Sequence, residues 1–437
     1  MAKNGRISIK GATLMALSAV VGSTIFVITG VPLHFAGYLA IPIFIVVGLL
    51  SLLFALEFGE LSSDMPNEKG VIYSYVNRSF GSELGLITGV LLYTAYCSTI
   101  AAISLSFGSY VASLLGFASA ALPFSILLII SIAAISFSGI KNSMGINYML
   151  IIFTLGVIAL FAIYAFARGM SHGFPFANFY NSQQQNGIGS LFEASTVMVF
   201  AFAGFQTITS FTKDIYNKGR GAAKAMISAV AIGIAAYVLV AFSLILLVPA
   251  PSFGTSANPL LFALESSGAP FFLRDIVSIG AAVAIAAAVL VITITASRLI
   301  YQISKDGLLP PFFRSYEKRR DIAKNGIITT AIASVLLLFS GNVYIIASIS
   351  NFGLIFSWLM ASFTLISRRR RGRRPDFMAP LYPALPVAAT FAALLFMVGM
   401  PQESLTIGII MILLLIITYY FIVEFKQRRA PRLRLFK

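Results

Sequence analysis

The sequence predicts an all-α integral membrane protein with twelve transmembrane helices. Of its 437 residues, 58% are hydrophobic and only 11% are charged, and the mean hydropathy is +0.92. Soluble domains carry roughly 25% charged residues, so this chain lacks the polar side chains that would cover a soluble surface. Apolar segments of about 20 residues, the length that crosses a bilayer, recur along the chain.

Short polar loops separate these apolar segments, and a single transmembrane domain accounts for residues 1–437. Two outer loops are long, 168–189 and 249–271, and the second has room for a short helix. The inner segments 64–81 and 305–326 are also long enough to hold helices that act as lids. The predicted spans are 11–33, 39–62, 86–115, 122–139, 146–167, 190–212, 225–248, 272–303, 325–340, 343–367, 384–400 and 405–425.

The distribution of positive charge predicts the orientation of the chain. With the N-terminus placed inside, 28 of the 31 Lys and Arg residues fall in the terminal segments and the inner loops. Because Lys and Arg concentrate in cytoplasmic loops, we expect a protein of the cytoplasmic membrane with both termini in the cytoplasm. The net charge of +16 then reflects topology and attraction to membrane lipid rather than nucleic-acid binding. The basic run Arg368–Arg374 is interpreted as an anchor between two helices.

Cysteine and histidine are too few for the usual metal and thiol chemistry. Cys97 is the single cysteine, and His34 and His172 are the only histidines. An internal disulfide and a thiol metal cluster are therefore excluded, and a serine–histidine hydrolase is not expected. No catalytic pair at matching membrane depth is apparent, so we expect neither a cofactor nor an enzyme.

Two of the predicted helices are interrupted by small or helix-averse residues near their middle. The first contains Gly22-Ser23-Thr24 and the sixth contains Ala203-Gly204. Glycine costs about 1 kcal/mol relative to alanine inside a helix, so a break at these positions is cheap. Interrupted helices at corresponding positions of two halves indicate a transporter binding site, although close packing through small residues gives the same pattern.

If the sixth helix repeats the first, the chain contains an internal repeat. The two inverted five-helix units would then be 1–167 and 190–367, followed by two further helices in 384–425. Each unit would contribute one broken helix to a shared site near the middle of the membrane.

Five short motifs follow one another along the chain: Gly22-Ser23-Thr24-Ile25-Phe26 before Pro32; Glu60-Leu61 with Pro66 and Gly70 to Tyr75; Phe200 to Gln206; Ser297-Arg298 with Lys305 to Pro310; and Pro380 to Pro383 before Leu385-Pro386. In this order they resemble the amino acid–polyamine–organocation transporters over nearly the whole chain. The resemblance implies the five-plus-five inverted-repeat fold, alternating access, and a small-molecule substrate held at the two breaks.

The resemblance implies a substrate site made largely of main-chain groups. Freed N–H groups of the first break would face a substrate carboxylate, because a helix N-terminus carries about half a positive charge. Freed carbonyls near Val20, Phe200 and Ala203 would accept hydrogen bonds from an ammonium group, and Phe200 would act as an aromatic lid. The expected substrate contacts are Val20, Gly22, Ser23, Thr24, Ile25, Phe200, Ala201, Phe202, Ala203, Gly204, Tyr96, Ile292 and Asn351.

The usual carriers of a coupling ion are missing. Gln206 and Thr154 stand where some members of the family have a glutamate and a lysine, and neither side chain titrates. The stretch 281–291 has no hydroxyl for a sodium site, so sodium coupling is not supported, while proton coupling and ion-free exchange stay open. Acids within the membrane are costly and therefore functional candidates. The coupling or gating candidates are Glu57, Glu60, Thr154, Glu193 and Gln206.

The sequence therefore predicts a secondary transporter of amino acids, with a mild preference for a neutral substrate because no fixed charge marks a side-chain pocket. The alternatives are a transporter of polyamines or other amines, which would lack the carboxylate, and a membrane sensor that binds an amino acid without moving it. The short tail 426–437 argues against the sensor.

Overall fold

The computed structural model describes residues 7–22, 24–171, 187–254, 256, 258–339 and 343–429. These residues form a helical bundle in which the only β-structure is two isolated bridges, Ile7 with Ile215 and Glu317 with Ile322. The helices are α1 (Ile9–Val20), α2 (Thr24–Val27), α3 (Gly30–Ala36), α4 (Ala40–Asp64), α5 (Val71–Phe80), α6 (Ser82–Leu115), α7 (Ala121–Phe137), α8 (Ile140–Ser171), α9 (Gly187–Phe202), α10 (Lys218–Leu247), α11 (Pro259–Ser266), α12 (Phe271–Lys305), α13 (Lys324–Leu338), α14 (Val343–Arg370), α15 (Ala384–Val398) and α16 (Gln402–Arg429).

Within the described residues, nine helical stretches are long and apolar enough to cross a membrane, and α7, α13 and α15 are shorter apolar helices. Each predicted span overlaps one of these stretches or shorter helices, and the number of crossings stays a prediction. The apolar windows of α6 and α12 are 78% and 72% buried, whereas that of α16 is 6% buried. Helices α6 and α12 therefore form the centre of the bundle. Helix α16 lies at its edge with its apolar side chains outward.

The first and sixth predicted spans are both interrupted at the expected positions. The helix of the first ends at Val20 and resumes at Thr24, and that of the sixth ends at Phe202. The first span also has a second interruption, which the sequence analysis does not predict. It lies between α2 and α3, where the hydroxyl of Thr29 donates to the carbonyl of Ile25 at 2.7 Å.

The second half of the sixth span differs from the expected α-helix. Residues Phe205–Asp214 form a 3₁₀ helix, whose hydrogen bonds join residues three apart. Hydroxyl side chains in this segment donate to carbonyls three residues earlier and so support the tighter winding. The donors and distances are Thr207 (2.6 Å), Thr209 (2.7 Å), Ser210 (2.9 Å) and Thr212 (2.9 Å).

Two of the long connections hold short helices, as expected. The connection 249–271 contains α11, and the connection 64–81 contains α5. The only helical turn between α12 and α13 is the 3₁₀ turn Pro311–Arg314, so the described residues contain no lid helix there. Most of the connection 168–189 lies outside the described residues, because 172–186 are not described.

Candidate functional site

The two helix breaks lie against each other in the centre of the bundle. Gly204 has a φ of +120°, and a Cβ atom added there would lie 2.6 Å from the carbonyl oxygen of Ala19. Only glycine combines an easy positive φ with the absence of a Cβ atom. Gly204 therefore allows the end of α9 to touch α1. A Cβ atom at Gly22 would similarly come within 3.2 Å of the Ala284 carbonyl oxygen on α12.

Tyr237, on α10, joins the two breaks through its hydroxyl group. This hydroxyl lies 2.7 Å from the carbonyl oxygen of Val20 and 2.9 Å from that of Ala201. The hydroxyl of Thr24 reaches the same two carbonyls at 2.7 and 3.2 Å and also hydrogen-bonds the Tyr237 hydroxyl. The two hydroxyls have one proton each, so they can donate to both carbonyls, or one can donate to the other while the second donates to a carbonyl. Tyr237 and Thr24 thus tie the first break to the sixth.

A small cavity of about 10 Å³ lies beside this junction. A volume of roughly 10–15 Å³ is the minimum that holds one water molecule. The site is therefore closed around a space far smaller than an amino acid. The residues that line it are Ala19, Thr24, Tyr96, Thr99, Phe200, Ala203, Gly204, Ile292 and Leu354.

Two buried polar groups near this site, the hydroxyl of Tyr96 and the amide nitrogen of Gln206, make no well-formed hydrogen bond among the described residues. The Gln206 amide nitrogen faces the Tyr96 oxygen, and the side-chain oxygen of Gln206 accepts a hydrogen bond from the Gly204 amide at 3.0 Å. The Tyr96 hydroxyl lines the cavity, and its proton has no acceptor among the described residues. Because buried polar groups are normally satisfied, this proton indicates a place for an acceptor from a ligand.

The main-chain groups of the breaks are only partly available in this conformation. The Gly22 amide, expected to face a substrate, donates to the carbonyl of Leu17 at 3.3 Å. The Val20 carbonyl, expected to face an ammonium group, is covered by Thr24 and Tyr237. The Phe200 carbonyl, in contrast, lacks its helical partner, since the Gly204 amide turns to Gln206. Ser23 lies outside the described residues.

Six of the expected contact residues line the cavity: Thr24, Tyr96, Phe200, Ala203, Gly204 and Ile292. Other expected contacts face the protein interior. The ring of Phe202 packs against that of Tyr237 with centroids 5.1 Å apart. The side-chain amide of Asn351 donates to the Thr196 carbonyl at 3.1 Å and so joins α14 to α9. Ile25 is fully buried, and the carbonyl of Ala201 accepts from Tyr237.

Glu57 is the acid that is buried most deeply among the coupling candidates. Its side chain is 0% exposed, and one carboxylate oxygen accepts a hydrogen bond from Ser362 at 2.9 Å. The other oxygen has no hydrogen-bond partner among the described residues. Thr154 uses its hydroxyl within its own helix, where it donates to the Leu150 carbonyl at 2.9 Å. Glu193 is half-buried and is the seventh residue of α9.

Glu60 is paired with a basic residue in the last turn of α14. Arg369 donates to both carboxylate oxygens, at 2.5 and 2.7 Å. The Ala379 amide adds a third hydrogen bond to this carboxylate at 2.6 Å. One turn further along α4, Asp64 pairs with Arg368 at 2.5 Å. Bidentate Arg–carboxylate pairs are strong and geometrically specific, so they fasten α4 to the end of α14.

A second group of ion pairs, here called the basic-end cluster, consists of Lys69, Asp214, Arg298, Tyr316 and Asp321. Arg298 is 0% exposed although it lies in an apolar helix. It donates to the carboxylate of Asp321 at 2.5 Å and lies 3.7 Å from that of Asp214. Lys69 pairs with Asp321 at 2.5 Å, and both Lys69 and Asp321 hydrogen-bond the Tyr316 hydroxyl. The cluster joins α12 to the end of the sixth span and to two loops.

The environment of the cluster shifts the pKa values of its loop residues. Burial, with repulsion from Arg298, lowers the pKa of the Lys69 amine to about 8. Burial opposes ionisation of Asp321, but Arg298 and the hydrogen bonds from Lys69 and Tyr316 outweigh it and lower the pKa of Asp321 to about 2. Asp321 is therefore a carboxylate at any physiological pH, and it holds the two cations together.

The N-terminal segment closes the same end of the bundle. The Ile7 amide donates to the Asp214 carbonyl at 2.9 Å, and the Tyr216 amide donates to the Ile7 carbonyl at 2.8 Å. The start of the chain is thus fixed to the residues that follow the sixth span. We call this end, which also carries Glu60 and Arg369, the basic end of the bundle.

Sequence reasoning overlooked two residues that organise these contacts. Tyr237 lies in an apolar helix and has no local signal, because its partners are 217 and 36 residues away. Arg298 does have a signal, since a charge inside an apolar span marks a functional or paired position. The sequence analysis used Arg298 only as part of a motif and did not predict its acidic partners.

These features define a multi-pass helical membrane protein in which two interrupted helices meet at a small buried cavity. The chain belongs to the amino acid permease family, whose sequence profile matches residues 7–432. This agrees with the resemblance to the amino acid–polyamine–organocation transporters.

The similar proteins are named as transporters and permeases. The methylthioribose transporter of Bacillus subtilis is 26% identical, over 89% of this chain and 87% of the relative. The branched-chain amino acid permease BcaP of the same organism is 24% identical, over 93% and 90%. Cationic amino acid transporter 1 of Arabidopsis thaliana is 24% identical over 81% of this chain and 61% of the relative.

Proposed function

We propose that this protein is a secondary active transporter that moves amino acids across the cytoplasmic membrane by alternating access. The observation that carries the proposal is the meeting of two interrupted helices at a cavity where the buried Tyr96 proton has no acceptor among the described residues. Broken backbone inside a membrane persists only where protein or a water-filled cavity covers it, and transporters use such breaks to bind substrate. Membership of the permease family supports the same conclusion.

We propose that the substrate lies across the two breaks. Its carboxylate takes the hydrogen bonds of Tyr96 and Gln206 and of the amides at the first break, including Gly22. The 3.3 Å bond from Gly22 to Leu17 is at the long end of the hydrogen-bond range and is the easiest to release. The ammonium group donates to the carbonyls of Phe200 and Ala203. Every protein group in this pose is neutral, so the two charged groups of the substrate are bound without a buried charged side chain.

A neutral substrate side chain fits the cavity lining best. Phe200, Ile292 and Leu354 present apolar surface, and neither an acid nor a base lines the cavity within the described residues. A cationic substrate would leave its charge without a partner, which is costly in a buried site. Branched or linear apolar amino acids are therefore the expected substrates, in line with the similarity to the branched-chain amino acid permease BcaP.

Transport requires the closed site to open. We propose that the two five-helix units, 1–167 and 190–367, move against each other and separate the breaks at Gly22 and Gly204. The basic-end cluster and the Glu60–Arg369 pair hold the cytoplasmic side shut in the present conformation. Their release would admit the substrate to that side, while the loops at the other end close.

A second candidate is a transporter of a neutral polyol-like or amine substrate without a carboxylate. The methylthioribose transporter relative favours this reading, because its substrate has neither a carboxylate nor an ammonium group. In that case the hydrogen-bond donors at Tyr96 and Gln206 would bind hydroxyl oxygens. This substrate would bind at the same two helix breaks, but free amino acids would not compete with it for binding.

Uptake into proteoliposomes tests the proposal directly. The purified protein is reconstituted and offered labelled leucine, valine, methylthioribose and putrescine, with and without inward proton and sodium gradients, and with and without internal amino acid. Amino acid uptake above empty liposomes supports the proposal, and dependence on internal amino acid indicates exchange. If methylthioribose or putrescine is taken up and excess leucine does not inhibit that uptake, the second candidate function is favoured over amino acid transport.

A further inference from the structure

An open groove at the basic end lies between α14 and the junction of α5 with α6. Its volume is about 640 Å³, within the roughly 300–1,000 Å³ range of small-molecule sites. It lies away from the substrate cavity and shares none of its lining residues. The groove is lined by Phe80, Leu84, Met360, Phe363, Ile366, Ser367, Arg370 and Arg371.

The apolar wall of the groove follows one face of α14. Met360, Phe363 and Ile366 are three residues apart, so their side chains lie on the same side of the helix. The opposite wall is apolar too, because it contains Phe80 and Leu84, whose side chains are 40% and 39% exposed. Phe363 on the α14 wall is 41% exposed. Such a face at membrane depth is suited to a hydrocarbon chain.

Two arginines close one end of this apolar surface. Both Arg370 and Arg371 are exposed, and no acidic residue lines the groove within the described residues. Arg371 donates to the Ser79 carbonyl at 2.9 Å, which holds its guanidinium beside Phe80. The neighbouring Arg368 and Arg369 are already paired with acids of α4, so Arg370 and Arg371 are the members of the run that face the groove.

The dimensions of the groove match one leaflet of a membrane. From Met360 to Arg370 the helix rises about 15 Å, at about 1.5 Å per residue. The hydrocarbon core of a bilayer is about 30 Å thick, so each leaflet contributes about half of this. An acyl chain lying against Met360, Phe363 and Ile366 would therefore place its headgroup at the level of Arg370.

We propose that this groove is a binding site for an anionic phospholipid of the leaflet at the basic end. The phosphate would accept hydrogen bonds from Arg370 and Arg371, and one acyl chain would lie between α14 and Leu84. Charge complementarity selects this occupant over the chain's own C-terminal segment, since residues 430–437 carry three basic residues and no acid. The proposal concerns a lipid ligand and is independent of which substrate is transported.

Native mass spectrometry of the detergent-solubilised protein tests the proposal, with phosphatidylglycerol and phosphatidylcholine offered at equal concentration. Each basic residue near an anionic surface strengthens binding severalfold. We therefore expect the wild type to retain roughly tenfold more phosphatidylglycerol than phosphatidylcholine. The R370Q/R371Q variant should lose this preference. The R373Q/R374Q variant should keep it, because Arg373 and Arg374 are exposed in the same run but do not line the groove.

A second variant tests the apolar part of the site without changing its charge. Leu84→Trp fills the groove and should lower the retention of both lipids while the melting temperature stays that of the wild type. If R370Q/R371Q does not fold, the single variant R370Q and L84W provide the same two tests. The proposal would be overturned if the wild type retained the two lipids equally, or if R373Q/R374Q had the same effect as R370Q/R371Q. Displacement of the lipid by inorganic phosphate alone would also overturn it.

Discussion

The hydroxyl of Tyr237 has an unusual position for a single side-chain group. It lies within hydrogen-bond distance of one carbonyl from each broken helix and of the Thr24 hydroxyl. A membrane interior offers no water to replace these hydrogen bonds. The breaks at the first and sixth spans therefore depend on a residue of α10, which belongs to neither.

Replacing Tyr237 with phenylalanine removes the hydroxyl and keeps the ring. We expect the free energy of unfolding to fall by about 1–3 kcal/mol, because a buried carbonyl loses its partner. Uptake in proteoliposomes should fall by roughly tenfold, since 1.4 kcal/mol corresponds to a factor of ten. Tyr420→Phe is the matched control, because Tyr420 is 59% exposed on the outer helix α16. Wild-type uptake by Y237F would exclude a role for this bridge.

Gly204→Ala tests the close contact of the two breaks. The new Cβ atom would lie 2.6 Å from the Ala19 carbonyl oxygen at a φ of +120°. Strained backbone of this kind costs about 1–3 kcal/mol, so uptake should be abolished or reduced at least tenfold. Gly156→Ala serves as the control, because nothing lies within 4 Å of the added atom. Thermal melting of both variants in detergent separates loss of folding from loss of transport.

Glu57 is expected to carry the proton if transport is coupled to a proton gradient. Glutamine at this position keeps the acceptor for the Ser362 hydroxyl but has no proton to release. We expect Glu57→Gln to lose gradient-driven accumulation, at least tenfold, while exchange of internal for external substrate continues. The exposed acid Glu265 provides the control variant E265Q. Unchanged accumulation by E57Q would remove Glu57 from the coupling mechanism.

The sequence predicts the residues of the site whose signal is local. Gly204 is found because glycine weakens a helix and because its place in the sixth span corresponds to that of Gly22 in the first. Thr24 and Phe200 are found because they adjoin such breaks. Tyr237 and Asn351 differ, since their role depends on contacts with distant helices. Pairing between α10 and α1 requires the tertiary packing, which the pattern of a single span does not contain.

At the scale of elements, the basic-end cluster connects four segments that would have to separate for the site to open. Arg298 of α12 holds Asp321 of one loop, and Asp321 holds Lys69 of another. Arg298 also donates to the Ser210 carbonyl at 2.7 Å, within the 3₁₀ half of the sixth span. The fully buried guanidinium makes the cluster sensitive to the loss of either acid, because an uncompensated buried charge is costly.

Asp321→Asn removes the charge that joins the two cations. Asp321 has a φ of +58°, a conformation that asparagine also adopts readily, so the backbone is expected to stay unchanged. We expect the basic end to open more often, which would increase labelling of an introduced Ser210→Cys by a thiol reagent severalfold. Glu317→Gln in the same loop is the control, since its ion pairs with Arg320 and Lys324 are exposed.

The effect of Asp321→Asn should not depend on pH between 5 and 7. The pKa of Asp321 is lowered to about 2 from its ordinary value of 3.8, so its contribution is complete above 3.8 and is lost only as the pH falls toward 2. The pKa of Lys69, at about 8, lies above this range, so the Lys69 amine stays mostly protonated between pH 5 and 7. A difference between wild type and D321N that disappears by pH 5 would contradict the assignment.

For the whole molecule, the arrangement of charge predicts the topology. If the basic end is cytoplasmic, a membrane-impermeant thiol reagent added to intact cells should label Ser266→Cys and leave Arg373→Cys unlabelled until the cells are permeabilised. Both positions are exposed, and the native Cys97 is buried, so it gives little background. The reverse pattern would invert the orientation and assign the basic-end cluster to the outer side.

The overall architecture is the part that the sequence predicts best. Hydropathy and length identify all the apolar helices, because a span must be long and apolar to cross a bilayer. Hydropathy and length do not identify the type of helical winding, which local hydrogen bonds determine. The 3₁₀ winding of Phe205–Asp214 arises from hydroxyl groups placed three residues after their acceptors, a pattern that hydropathy does not register.

Because one tyrosine hydroxyl serves both breaks, we expect that the two halves of the proposed substrate site do not respond independently. A ligand fragment that binds only at the first break must still disturb Thr24 and Tyr237, and so weakens the second break without benefiting from it. Acetate and methylamine, offered together, should therefore inhibit far less than a single molecule that carries both groups. The junction would then bind a molecule that carries both a carboxylate and an ammonium group more tightly than two separate fragments that carry one group each.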